Sequence, residues 1–298
     1  AEGLTSYLAD HLIKEQRGQG VEYRRNTLQK YTDYVRQQQD FPLTAFRSRH
    51  SAVTEAVGYG KTLMLFHMLR LELGDERFTR GLQTLYRQNR FQVTGFKAVE
   101  RAFSEAAGQS LADFFAQWVQ RPGAPSLRVS QAQARPQDDG YLLTAMIEQV
   151  QDAAPYTLQV PLAIRLEGRE QAWQTVVSVA SRRTALELAL PARPLQLAID
   201  PQFDVFRRLD RIAQRRLKRA GVGVGDVVEV REEDHVEAAA LADPCDVLVK
   251  LRPAPVIACL RRLRVPPHAQ AVIARAVAKE LRQVHALKRH RSSQSRRQ

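Results

Sequence analysis

The sequence predicts an α+β multidomain chain in three parts: an all-helical segment over residues 1–122, an antiparallel β-sandwich over 123–208, and a basic tail over 209–298 with a long amphipathic helix. Three observations lead there. Apolar residues recur every three or four positions up to Arg121 and every two from Pro125 onward, the change from helical to strand period. The triplet Arg121-Pro122-Gly123 stops the helices between the two regimes. All 21 aromatic residues lie before residue 211, so the remainder is a different kind of sequence.

Each element follows from its pattern. Leu4, Leu8 and Leu12 recur every four residues, and Leu28, Tyr31 and Val35 do so again. Leu63 to Leu73 is apolar nearly all round, which marks a buried central helix ending at Gly74. Asp75 is placed to cap the next helix, Glu76 to Asn89, whose inward face is Phe78, Leu82 and Leu85. Thr94 and Ser110 are candidate N-caps, the second with Asp113 in capping-box spacing before Phe114, Phe115 and Trp118. Six period-two segments fall between residues 125 and 200, among them Leu158-Val160-Leu162-Ile164-Leu166, Leu186-Leu188-Leu190 and Leu195-Leu197-Ile199. Their separation by Pro, Gly and Asp clusters suggests the sandwich. The tail offers short strands at Asp226 to Val230 and Asp246 to Lys250. Its helix, Ala269 to His290, carries Val272, Ile273, Val277, Leu281 and Val284 opposite Arg275, Lys279, Arg282 and Arg289.

Composition narrows the function classes. The net charge of +13 is concentrated in residues 211–298, which carry +10 of it. No apolar run is long enough to span a bilayer and no secretory signal is present. The chain starts at Ala1 inside a helix entrance, so it reads as the back part of a longer protein and says nothing about compartment. Cys245 and Cys259 have neither a Cys-x-x-Cys partner nor a histidine at ligand spacing, so neither metal nor disulfide is indicated.

The stretch VGYGKTLMLFHML, Val57 to Leu69, invites comparison with a phosphate-binding loop because Gly-Lys-Thr opens an apolar helix. Glu55 stands where the first glycine of that loop belongs, and its charge would repel phosphate. A tight glycine turn into a core helix explains Gly58 and Gly60 but not Tyr59 or Lys61. The GVGVGD run at Gly221 is not followed by a helix, so it reads as a loop and not a dinucleotide fingerprint.

Four segments in order account for Tyr59: AEGLTSYLADHL at the start, GYGK, LGDERF at a helix junction, and FFAQWVQRPGAPSLRV at the helix-to-strand switch. Together they resemble the zinc aminopeptidases of the alanyl aminopeptidase family, which are thermolysin-like gluzincins, over Ala1 to about Asp210. The resemblance implies a thermolysin-like helical subdomain, a zinc cofactor and a peptide substrate trimmed at its amino terminus. It assigns Glu2 as the third zinc ligand, with Ala1 in place of the usual Asn. It assigns Tyr59 as the hydroxyl that stabilises the oxyanion, with Lys61 matching the motif and Thr62 where Gly is usual. That division of labour is sound chemistry, since three protein ligands leave zinc an open position and a phenol bonds best to a developing oxyanion.

The family's two histidine ligands and general base sit in His-Glu-x-x-His, which occurs nowhere in the 298 residues. The resemblance therefore places them upstream, the second histidine about eighteen residues before Glu2, on a missing N-terminal part of the same chain. The chain alone is expected to be inactive. His11, His50 and His67 lack ligand spacing, and His11 and His67 read as satisfied histidines. A different class is a non-catalytic scaffold or interaction module built from the same domains. The tail could bind nucleic acid or an acidic membrane surface, by charge alone because it has no aromatic residue for stacking on bases; the alternative is a segment without selected function.

Overall fold

A period of 3.6 up to Gln120 produces five helical stretches in the computed structural model, which describes residues 2–36, 39–137, 139–210 and 226–232. We number them α1 (2–16), α2 (Gly20–Tyr34), α3 (52–89), α4 (Phe96–Ala107) and α5 (112–120). Three contain a π-helical turn: Ser6–His11 in α1, Ala56–Lys61 in α3 and Ala116–Gln120 in α5. A π turn inserts one residue and rotates the rest of the helix about its axis. In α1 this breaks the expected leucine stripe: Tyr7 and His11 are buried, Leu4 and Leu12 pack at the core margin, and Leu8 is turned outward.

The helix α3 starts at a capping box in which Ser51 accepts from the Thr54 amide and Thr54 returns a bond to the Ser51 amide. Its centre is buried from Thr62 to His67, as the all-round apolar run requires, and it bends at Gly74, whose φ of 75° and ψ of 163° are non-helical. Beyond the bend Phe78 is buried, with Leu82 and Leu85 against the core. Gly81 lets α4 close in, since a Cβ there would lie 2.5 Å from the Phe103 ring. Two caps fall one residue later than the sequence suggests. Gly95 precedes α4 while the Thr94 hydroxyl donates to the Gln92 carbonyl, and Leu111 precedes α5 with Ser110 accepting only from the Ala112 amide.

All six strand segments form: β1 (Leu127–Gln137), β2 (Gly140–Gln149), β3 (Leu158–Leu166), β4 (Trp173–Val179), β5 (Arg183–Leu190) and β6 (Pro194–Ile199). The tail adds β7 (Asp226–Glu229) and β8 (Arg231–Glu232). They make two four-stranded sheets, ordered β5-β2-β1-β8 and β4-β3-β6-β7, antiparallel except for the short β1–β8 pairing. The strand expected at Asp226 to Val230 thus lies on a sheet, with Gln196 opposite Glu229 and Ile199 opposite Asp226. The expected strand at Asp246 to Lys250, the helix at Ala269 to His290, Cys245, Cys259 and the glycine run at Gly221 lie outside the described residues. No described helix is long and apolar enough to cross a membrane.

Helices and sheets share one apolar core, because the chain after β6 turns back onto the helices. Phe206 meets Tyr31 edge-on at 4.7 Å and Trp118 at 6.1 Å, while the Leu209 amide donates to the Thr32 hydroxyl and Arg208 to the Val35 carbonyl. At the start of this return the fully buried Arg207 and Asp200 form an ion pair at 2.9 Å.

Candidate active site

The site begins with two glycines. On α1, a Cβ at Gly3 would sit 2.2 Å from the Thr62 Cβ and 3.1 Å from the Gly58 carbonyl oxygen, so only glycine lets α1 lie against α3 there. On α3, a Cβ at Gly58 would run into the Phe46 ring at 2.2 Å. Glu2 precedes the first glycine and Tyr59 follows the second. The close approach therefore brings the two side chains together, and the Tyr59 hydroxyl is hydrogen-bonded to the Glu2 carboxylate.

Tyr59 is half-buried and its ring is boxed in: Phe46 stands edge-on with centroids 5.9 Å apart, and the Arg49 guanidinium lies 5.8 Å from its centroid. Arg49 also pairs with Glu55 at 3.7 Å, which Lys30 approaches at 3.2 Å. Desolvation, then the hydrogen bond and charge of Glu2, raise the phenol above its ordinary pKa, and Arg49 opposes them. The phenol is therefore a neutral donor at neutral pH. Glu2 itself is exposed.

Lys61 points the other way. It is 1% exposed, and its Nζ donates to the carbonyls of Arg121 at 2.8 Å and Gly123 at 3.1 Å, where the third π turn gives way to the sheets. Burial lowers its pKa to about 8, with Asp40 opposing and Arg121 assisting. The charge finds its partners at carbonyls left free by a helix end, which favour a cation. This accounts for a lysine in an otherwise apolar run.

A second polar cluster lies under α1, where ligand-type atoms of His11, Glu15 and His67 come within 4.8 Å of one another. Its connections are those of an ion-pair network. His11 Nε2 accepts from Arg24 Nη1 at 3.0 Å, because a guanidinium can only donate. The Glu15 oxygens face Arg70 at 2.9 Å and Arg24 at 3.6 Å. His67 Nε2 meets Asp204 at 2.8 Å, and Arg24 reaches the same carboxylate at 3.2 Å and the Gln202 carbonyl at 2.9 Å. Two guanidinium groups occupy the ligand atoms that a metal would need, so this donor set does not fit one. Both histidines are buried, correcting any surface placement. Burial, then the charges of His67, Arg24 and Arg70, lower the His11 pKa to about 2; burial also lowers that of His67, against its bond to Asp204.

The structure thus brings Glu2 and Tyr59 together and keeps His11 and His67 apart from them in a structural role, with His50 on the surface hydrogen-bonded to Ser48. Sequence reasoning left Lys61 without a task, and its only signal was a charge inside an apolar helix. As for zinc, Glu2 supplies one carboxylate of the right type, and its only hydrogen-bond partner named at the site is a neutral phenol that leaves its charge intact.

No family model matches the chain. Among curated proteins it is similar to aminopeptidase N of Lactococcus lactis subsp. lactis, 37% identical over 70 residues, which are 24% of this chain and 8% of that one. Probable aminopeptidase 1 of Saccharolobus solfataricus is 31% identical over 74 residues, 25% of this chain and 9% of its own. Leucyl aminopeptidase of the same organism is 24% identical over 106 residues, 35% of this chain and 14% of its own. The chain thus matches less than a sixth of the length of each relative. Among solved structures, an aminopeptidase A of Legionella pneumophila in complex with aspartic acid aligns with a TM-score of 0.47 at 16% identity, over 70% of this chain and 23% of that one. The relatives of this chain are aminopeptidases.

Proposed function

We propose that this chain is the C-terminal part of a zinc aminopeptidase, a thermolysin-like helical half-domain followed by a β-sandwich, and that the whole protein removes amino-terminal residues from peptides. The observation that carries the proposal is the meeting of Glu2 and Tyr59 across the Gly3–Gly58 contact. One residue is a carboxylate of metal-ligand type and the other a neutral phenol, and the sequence resemblance names the same two. In this reading zinc, when bound, activates water and polarises the scissile carbonyl. The chain's own contribution is simpler. Glu2 offers its exposed carboxylate as a ligand, and the Tyr59 hydroxyl donates to the carbonyl oxygen as that oxygen gains charge, so the bond strengthens toward the transition state.

The two imidazole ligands and the general base are then supplied by residues preceding Ala1. The test is a pair of proteins, this chain alone and the chain with its upstream residues, each analysed for metal and for release of amino-terminal residues from peptides. The chain alone should hold no stoichiometric zinc, because one exposed carboxylate cannot compete with water and the His11 cluster is filled by arginines. The extended protein should bind one zinc per chain and be active. An extended protein with neither property would favour the alternative, an aminopeptidase-like scaffold.

A further inference from the structure

The π-helical turn Ala56–Lys61 has two anchors on opposite sides. Outward, Tyr59 meets Glu2; inward, Lys61 is buried with its charge committed to two carbonyls at the helix-to-sheet junction. That junction is itself rigidly held. The Arg121 guanidinium lies 3.6 Å from the Tyr156 ring centroid and donates to the Pro155 carbonyl at 2.9 Å, Tyr156 stacks on Trp118 at 5.3 Å, and the Tyr156 hydroxyl donates to Pro122 at 3.2 Å. Gly123 has a φ of 90°, which aims its carbonyl and which a side chain would strain. Phe206, from the segment returning to the helices after β6, lies 5.8 Å from the Lys61 ammonium. Every contact of Lys61 is therefore with the junction or the return segment, two residues from the phenol.

We propose that Lys61 is a positioning residue for Tyr59: it pins the turn to the helix-to-sheet junction and so holds the phenol where it meets Glu2. The sheet domain then takes part in the chemistry indirectly, as the fixed point for the hydroxyl. A π turn has one residue more than the helix around it and can relax to the α form by slipping its register. A slip would rotate Tyr59 about the axis, and the two bonds from Nζ oppose it. This inference rests on the reading of Tyr59 as the oxyanion donor, but its first test does not.

The test follows the Tyr59 phenol in this chain by carbon NMR with labelled tyrosine, the signal being assigned through Tyr59→Phe. In the wild type the phenol should titrate above its ordinary value, because it is held against Glu2. In Lys61→Met, which keeps the length and removes the donors, the midpoint should fall toward the ordinary value as the phenol leaves Glu2. Loss of a positive charge alone would move it upward, so the sign separates positioning from electrostatics. Gly123→Ala disturbs the acceptor instead of the donor and should shift the midpoint the same way; it also serves if Lys61→Met does not fold. Val99→Ala, a core change in α4, should lower the melting temperature and leave the midpoint alone. A folded Lys61→Met or Gly123→Ala with an unchanged or raised midpoint would overturn the proposal. In the complete enzyme, displacement of the hydroxyl by about 1 Å should cost Lys61→Met roughly 100-fold in kcat with KM nearly unchanged. If instead Tyr59→Phe leaves kcat intact, the catalytic reading fails while the titration result stands.

Discussion

Gly3 on α1 and Thr62 on α3 are in contact so close that the glycine hydrogen occupies the only space there is: a Cβ would lie 2.2 Å from the Thr62 Cβ. Glu2 and Tyr59 flank this contact and meet because of it. Gly3→Ala should therefore do two things. It should destabilise the fold by about 1–3 kcal/mol, the usual cost of overpacking, and it should release the Tyr59 phenol from Glu2. Chemical denaturation with tyrosine NMR would record both, and a stable variant with an unchanged phenol titration would show that α1 can shift without consequence.

The buried histidines give the fold an acid limit. The folded-state pKa of His11 is about 2 against an ordinary 6.5, so above the ordinary value both states are neutral and nothing is lost. As pH falls below it the unfolded chain takes up a proton that the folded chain refuses, and stability is lost down to the folded value, by about 1.4 kcal/mol per pH unit. His67 is shifted the same way. Denaturant midpoints measured from pH 7 to 5 should fall more steeply for the wild type than for His11→Gln, which can still accept from Arg24 but has no proton to gain. Parallel curves would mean that His11 is protonated in the folded chain.

Much of the fold was legible in the sequence, and the parts that were not have physical reasons. The switch of period at Pro125 located the sheets, and the glycines flanking Glu2 and Tyr59 marked both residues. The π turns were invisible, since one inserted residue leaves the apolar composition untouched and shows only as Leu8 facing outward where a regular helix would bury it. Lys61 stood out as a charge in an apolar run, but its acceptors are backbone carbonyls at Arg121 and Gly123, which carry no sequence signature. His67 likewise looked like an ordinary histidine because its partner, Asp204, arrives only after both sheets have been built. The caps at Thr94 and Ser110 missed by one residue for a local reason: the Thr94 hydroxyl turns back to the Gln92 carbonyl and leaves the cap position to Gly95.

The tail illustrates the same limit, because its change of composition hid a strand that pairs with β6. Val228 and Val230 pack at the margin of the core. Ending the chain at Asp210 should therefore cost on the order of 2 kcal/mol through lost apolar burial and uncover the β6 edge. Melting temperatures of the full and shortened chains would decide this, and equal values would mean that β7 adds nothing to the sheet.

The Tyr59 hydroxyl is central to the proposed chemistry, and Tyr59→Phe in the protein extended upstream of Ala1 isolates it. The change keeps the ring, with its contacts to Phe46 and Arg49, and removes one donor. If that donor serves the oxyanion, kcat should fall by roughly 100- to 1,000-fold, about 2.7–4 kcal/mol of transition-state stabilisation, with KM little changed. A kcat within a few-fold of the wild type would contradict that role and leave Tyr59 as a packing residue beside Glu2.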